Sequence, residues 1–193
     1  MDPIARFVEL LERAKKTPAI AEPTGMTLST VGVDGRPSSR IVLLKGIDAR
    51  GLVFYTNTRS RKGREIAAQP GVSLIFWWPQ LESQIRFEGN AVRVTEAEAD
   101  AYFATRPRLS QLGAWASDQS APLRSREELE ERFAELDRKY AEKPVPRPSH
   151  WSGYRVTPLA VEFWRNRPGR LHERDLYTRA SADAPWTMTL LNP

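Results

Sequence analysis

Residues 26–47 read MTLSTVGVDGRPSSRIVLLKGI, two β-prone runs with Asp34-Gly35 between them. Asp-Gly suits tight turns whose central residues need positive φ, so the stretch predicts an antiparallel hairpin with a two-residue turn. The same short-strand pattern recurs outward from it. GLVFYTN (51–57) and VSLIFWWP (72–79) are short apolar runs, and ESQIRFEGNAVRV (82–94) alternates Ile85, Phe87 and Gly89 against polar neighbours, as a half-buried strand does. YRVTPLAVEFWR (154–165) and WTMTLLN (186–192) return to β pattern near the end. Strands accumulate without long crossover helices, which predicts an α+β fold: an antiparallel, barrel-like sheet with helices packed outside it.

The helical segments punctuate this pattern. DPIARFVELLERAKKT (2–17) spaces Ile4, Phe7, Val8, Leu11 and Ala14 helically, with Pro3 suited to the first turn, and is expected to lie on the core. SRKGREIAAQP (60–70) reads as a short helix. Thr95 with Glu98 and Ser125 with Glu128 fit the capping box that opens a helix. Between these two starts, RPRLSQLGAWASDQSAPL (106–123) is expected to be a loop-rich connection. KPVPRPSHWSGY (143–154) holds too many prolines for a helix interior or central strand and is expected to be an ordered crossing segment.

Composition bounds the chemistry. At 193 residues and 40% hydrophobic content, one domain over residues 1–193 is the expectation. No apolar run approaches the roughly 20 residues that span a bilayer, and the opening segment is amphipathic, so a soluble protein is expected, with the cytoplasm as the default location and no membrane partner. The chain has no cysteine, which removes disulfides and thiolate catalysis, and its two histidines, His150 and His172, argue against a transition-metal site. Net charge is +5, and 23 of the 29 basic residues are arginine, the side chain that grips phosphate bidentately. Most of them belong to solvated, acid-interleaved faces such as SREELEERFAELDRKY (125–140). The glycine-rich phosphate loops of nucleotide-binding folds are missing, so a phosphate ligand needs side-chain donors. Arg40 and Lys45 bracket the apolar run IVLL, and Arg61 and Lys62 open the next helix, where first-turn amides favour an anion.

Four separated stretches then agree in order and spacing: RIVLLK (40–45), YTN with SRKGRE (55–65), YFATRPRLSQLGAWAS followed by QS (102–120), and EFWRNRPGRLHER (162–174). Together they resemble the pyridoxamine 5′-phosphate oxidases, FMN enzymes that make pyridoxal 5′-phosphate, over nearly the whole chain. The resemblance implies an FMN-binding split β-barrel of six to eight antiparallel strands and a homodimer with FMN at the subunit interface. It implies that Arg40, Ile41, Val42, Leu43, Leu44 and Lys45 lie along FMN, with Arg40, Arg61 and Lys62 serving its phosphate. Tyr55, Thr56, Gln84, Gln119 and Ser120 match further flavin contacts, and Trp164 and Arg174 match residues that reach the flavin from the partner subunit. Lys45, Tyr102, Arg106 and Ser110 match the holders of substrate phosphate, and Arg170, Leu171 and His172 cover the substrate ring. Of these, Arg170 clamps the substrate and His172 orients or deprotonates its amino or hydroxyl group. The expected partners are pyridoxamine or pyridoxine 5′-phosphate and O2.

Some residues depart from the family pattern. Arg165 stands where a smaller polar residue or glycine is usual, Glu173 where Asp is more common, and TLLNP closes the chain where the family has an arginine near the end. Two other function classes compete: a flavin oxidase of the same fold with another substrate, such as a phenazine precursor, and a non-enzymatic basic protein that binds nucleic acid or carries flavin or pyridoxal phosphate. Lys45, Tyr102, Arg106 and Ser110 together favour the phosphorylated vitamin substrate. The scatter of basic residues among acids, with no RNA-binding motif, argues against nucleic acid. His150, beside Trp151, keeps a structural reading.

Overall fold

The computed structural model describes residues 2–193; Met1, at which the expected domain of residues 1–193 begins, lies outside the described residues. Strands β1 (Gly25–Val31) and β2 (Pro37–Leu43) form the expected hairpin, in register from Gly25 opposite Leu43 to Val31 opposite Pro37. Its turn differs from the expectation. Gly32 N–H donates to Arg36 O and Gly35 N–H to Gly32 O, which leaves Val33, Asp34 and Gly35 as a three-residue loop. Asp34 Oδ1 accepts from the Arg36 amide, so only Gly35, at φ 75°, has to enter the left-handed region.

The remaining strands are β3 (Gly46–Asp48), β4 (Gly51–Asn57), β5 (Gly71–Trp78), β6 (Ser83–Arg93), β7 (Trp151–Arg165), β8 (Glu173–Thr178) and β9 (Thr187–Leu190). All pairings are antiparallel, and seven strands run in the order β2-β1-β5-β6-β7-β4-β3, with β8 and β9 added as a hairpin beside β7. The two ends of that path, β2 and β3, are separated in sequence only by Leu44 and Lys45. A flat sheet cannot satisfy this connection, so the sheet curls until its edges meet. At the seam Leu44 N–H donates to Thr24 O beside β1 and Lys45 N–H donates to Val53 O of β4.

The split of the barrel is written into β7. It pairs with β6 along most of its length, but on its other edge it pairs with β4 through Trp151–Val156 and with β8 through Ala160–Arg165. Pro158 falls in the gap. Having no amide to donate, it suits the position where one partner ends and another begins. β8 was not expected from the sequence, which marked only its first two residues, Glu173 and Arg174, and those for their chemistry; β7 starts at Trp151, inside the expected crossing segment.

Period-two alternation directs Leu74, Phe76 and Trp78 of β5, Ile85 and Phe87 of β6, and Val161 and Phe163 of β7 into the core. Helix α1 (Pro3–Lys15), capped by Asp2, packs Phe7 against Phe76 and Phe87, each at 4.8 Å between ring centroids. Phe7, Leu11 and Ala14 are buried as expected. Val8 is not: the buried stripe runs through Leu10 instead, and Val8 lies at its margin, 36% exposed. The other helices are α2 (Arg61–Ala68), α3 (Glu96–Ala104), α4 (Arg108–Ala116) and α5 (Arg126–Lys139). Thr95 and Glu98 form a complete capping box, and Ser125 caps the Glu128 amide. Helix α4 corrects the loop expected over 106–123; it follows Pro107 and buries Leu112 and Ala116, one turn apart. Among the described residues, no helix is long and apolar enough to cross a membrane.

Phe87 is fully buried and Val92, on the same strand, is 63% exposed. Phe87→Ala is expected to cost about 3–5 kcal/mol in urea unfolding, and Val92→Ala to stay within about 0.5 kcal/mol.

Candidate active site

The seam opens into a cavity of about 630 Å3. Arg40, Ile41, Val42, Leu43 and Lys45 form one wall, Tyr55, Thr56 and Asn57 of β4 another, and Lys62 of α2 stands at its side. Helices α3 and α4 and the segments after them close it with Tyr102, Arg106, Ser110, Gly113, Ala114, Ser117 and Gln119, and Trp151 of β7 forms the floor. Leu44 departs from its neighbours: it is buried in the hydrophobic core, so its contribution to the seam is its backbone.

Arg40, Lys45, Lys62 and Arg106 line this cavity, and among the described residues no carboxylate does. The nearest acid lies behind Arg40. Glu65, buried on α2, accepts hydrogen bonds from Arg40 Nη2 (3.1 Å), Ser38 Oγ (2.7 Å), Thr30 Oγ1 and Arg61 Nε (2.8 Å). Arg40 also donates to Ser38 Oγ at 2.6 Å and to Leu28 O at 3.3 Å, so its guanidinium is fixed from several sides. Burial pushes the Glu65 carboxyl up, but the hydrogen bonds from Thr30, Ser38, Arg61 and Arg40 outweigh it and bring the pKa down to about 2. Arg61 is exposed and tied to Glu65 outside the cavity lining.

Lys62 Nζ donates to Gln119 Oε1 (2.9 Å) and to Thr56 Oγ1 (3.2 Å), which brings three residues marked from sequence into one polar cluster. Burial, and then the charge of Arg40, lower the pKa of this ammonium. Ser120, next to Gln119, is exposed and has φ 72°. Across the cavity Arg106 lies over the Trp151 ring at 4.6 Å, and its Nη1 is buried without a hydrogen-bond partner among the described residues. Burial lowers its pKa, and an unpaired guanidinium nitrogen in such a place is costly unless an anion answers it.

Tyr55 stacks on Tyr102 at 4.0 Å and on Trp151 at 5.3 Å, an aromatic wall between the two cationic ends. Gly153, opposite Tyr55 in the β4–β7 register, makes the wall possible: a Cβ there would sit 2.7 Å from the Tyr55 ring. Trp151, Asn57, Ser117 and Glu65 were not among the residues marked from sequence. Glu65 had a signal, its position four residues after Arg61, which is the spacing of a helical ion pair.

The other marked residues gather elsewhere. Gln84 pairs with Trp164 and Trp164 with Arg174, so the three form one row across β6, β7 and β8, with Trp77 opposite Gln84 on β5. Trp77 is 52% exposed and meets Trp164 edge to face, whereas Trp78 is in the core. Buried Glu162 accepts from Arg174 Nε and from Arg86 Nη2, each at 2.7 Å, and donating to Glu162 raises the Arg174 pKa. His172 lies against Trp164 at 4.6 Å between centroids, and Arg170 and Leu171 stand exposed at the tip of the β7–β8 loop. Among the described residues none of this second group lines the seam cavity. His150 has a structural part: its ring Nε2 meets Ala114 O at 3.1 Å, and its carbonyl accepts from Thr58.

This curled antiparallel sheet is the fold of the FMN-binding split-barrel proteins. Residues 13–140 match the family described as pyridoxamine 5′-phosphate oxidase, and residues 151–193 match the pyridoxine 5′-phosphate oxidase C-terminal dimerisation region. The chain belongs to the pyridoxamine 5′-phosphate oxidase family. It is 58% identical over 192 residues to the pyridoxine/pyridoxamine 5′-phosphate oxidase of Myxococcus xanthus (strain DK1622), covering 100% of this chain and 92% of that protein. The protein of the same name from Caulobacter vibrioides (strain NA1000 / CB15N) is 58% identical over 193 residues, with 100% and 85% covered. Among solved structures, PhzG from Burkholderia lata 383, in complex with tetrahydrophenazine-1-carboxylic acid, matches with a TM-score of 0.92 at 35% identity, covering 100% of this chain and 93% of that one. A pyridoxamine 5′-phosphate oxidase-related, FMN binding protein from Nostoc punctiforme PCC 73102 shares the fold, with a TM-score of 0.77 at 20% identity over 100% of this chain and 98% of that one.

Glu65 gives the site a pH signature. Its pKa in the folded chain, about 2, lies below the roughly 4.3 of an unfolded glutamate, so its stabilisation is complete above the unfolded value and is lost as pH falls through the folded one. Acid unfolding of Glu65→Gln, followed by circular dichroism, is expected to show a shallower loss of stability than the parent between about pH 4 and 2.

Proposed function

We propose that the chain oxidises pyridoxamine 5′-phosphate and pyridoxine 5′-phosphate to pyridoxal 5′-phosphate, using FMN and O2, and releases H2O2, with NH3 from the amine after imine hydrolysis. The observation that carries this reading is the cavity lining of Arg40, Lys45, Lys62 and Arg106 without a carboxylate. Cofactor and substrate each bring a phosphate dianion, so one site must neutralise charge near minus four, and burial of such groups unpaired is prohibitive. Arg106 Nη1, buried and unpaired, fits an anion that reaches it from the cavity.

The residues fit FMN at the α2 side. Arg40, Arg61, Lys62 and the first-turn amides of α2 would take its phosphate, Ile41 to Lys45 would run beside it, and Tyr55, Thr56, Gln119 and Ser120 would complete the contacts. Bound FMN would supply the two-electron oxidation and pass the electrons to O2. Lys45, Tyr102, Arg106 and Ser110 would hold the substrate phosphate. Gln84, Trp164 and Arg174 would reach the flavin, and Arg170, Leu171 and His172 the substrate ring, from the second subunit of a homodimer. The separation of the two groups within one chain supports that assignment, as does the match of residues 151–193 to a dimerisation region. Residues 1–193 act as one domain on this reading, because β7 carries both Trp151 of the cavity and Trp164 of the row. The cytoplasm is the location we infer, since substrates bearing phosphate dianions do not cross lipid unaided.

The test is anaerobic mixing of the FMN-loaded protein with pyridoxine 5′-phosphate and, in parallel, pyridoxamine 5′-phosphate. Bleaching of the oxidised-flavin absorbance is expected with both, and yellow protein that never bleaches overturns the substrate reading. Arg106→Gln is expected to raise KM about 10- to 100-fold, the worth of a hydrogen bond to a charged group, and to leave FMN affinity within about twofold.

A further inference from the structure

Glu173 opens β8 directly opposite Arg165 of β7, and its carboxylate reaches two guanidinium groups. Oε1 accepts from Arg167 Nε at 2.8 Å and lies 2.7 Å from Arg167 Nη2, while Oε2 lies 3.6 Å from Arg165 Nη1. These contacts close the mouth of the loop over residues 166–172. On the other flank Asn166 N–H donates to Glu82 O at 2.9 Å. Inside the loop Gly169 and then Arg170 adopt left-handed backbone, at φ 67° and 61°, and a non-glycine residue stays there only when its surroundings hold it. The loop also fixes the histidine. The Arg167 backbone N–H donates to His172 Nδ1 at 3.3 Å, with the ring laid against Trp164. When Nδ1 accepts, the proton of a neutral imidazole is on Nε2.

We propose that Glu173 is a positioning residue for the oxidation: through Arg167 and Arg165 it sets the 166–172 loop, and through the Arg167 amide it keeps His172 in the Nε2–H form. His172 then meets the substrate as a hydrogen-bond donor, with no free lone pair at Nε2 to accept a proton. This rests on the oxidase reading above and narrows the role of His172 within it.

The test compares the FMN-loaded protein with its Glu173→Gln and Glu173→Asp variants. Hydrogen exchange of peptides across residues 166–172 and the anaerobic rate of flavin reduction by saturating pyridoxine 5′-phosphate are read together. In Glu173→Gln, loop exchange is expected to rise about fivefold and reduction to slow about fivefold, a magnitude suited to half-exposed ion pairs, with FMN affinity kept within about twofold. Glu173→Asp, which keeps the charge, is expected to recover most of both changes. Unchanged exchange overturns the clamp, and faster exchange with unchanged reduction, or a loss of FMN affinity, overturns the positioning role. Nitrogen-15 NMR of the two histidines reads the tautomer directly, and a protonated Nδ1 on His172 in the neutral ring overturns that part. If the parent binds FMN but is never bleached, the oxidase reading fails and the positioning role with it, while exchange still decides whether the clamp exists.

Discussion

The structure depends on a connection of two residues. Leu44 and Lys45 join strands at opposite ends of a seven-strand path, and no arrangement of that path other than a closed curl allows so short a link. Closure puts three things at one place: the end of β2 with Arg40 to Leu43, the polar end of β4, and the start of α2. The cavity therefore follows from topology, and its chemistry from the residues that these segments bring to the seam. Leu44 shows the rule by exception, since its side chain goes to the core while its neighbours line the cavity.

Charge is arranged with the same economy. Four cations facing one cavity repel one another, and Glu65 relieves this from behind by holding Arg40 and Arg61 without entering the lining. Glu162 likewise holds two guanidinium groups, that of Arg86 and that of Arg174 in the second row. In both places a buried carboxylate fixes a guanidinium before any ligand arrives, which reduces the reorganisation that binding demands. Arg106 is held differently, by an aromatic face instead of an acid, and so keeps its charge unanswered on the side of the cavity.

Much of this was legible in the sequence because it is local. The hairpin, the alternation of Ile85 and Phe87, the opening helix and the Thr95 cap are periodic or short-range signals, and each formed. The misreadings came from tertiary context. Asp34 used its own side chain to build a longer turn than Asp-Gly predicts, α4 formed where small and polar residues hid a two-point apolar stripe, and β8 was masked by the polar chemistry of its own residues. For the site, motifs in order marked a set of residues, and the structure collects many of them around one cavity. No motif could reveal Trp151 as its floor or Glu65 as its hidden counter-ion, because both act through contacts made across the fold.

Strand β7 begins at Trp151, in the cavity, and ends beside Trp164, in the row that would serve the second subunit. On the proposed arrangement a single unbroken backbone, on the order of 40 Å of extended chain, leads from one catalytic centre toward the other, and its twin runs back the opposite way. On that arrangement neither centre would have a private scaffold. Dissociation would dismantle both at once, so that dilution would yield two inert halves with no half-active species between, and the concentration of the chain itself becomes a determinant of turnover.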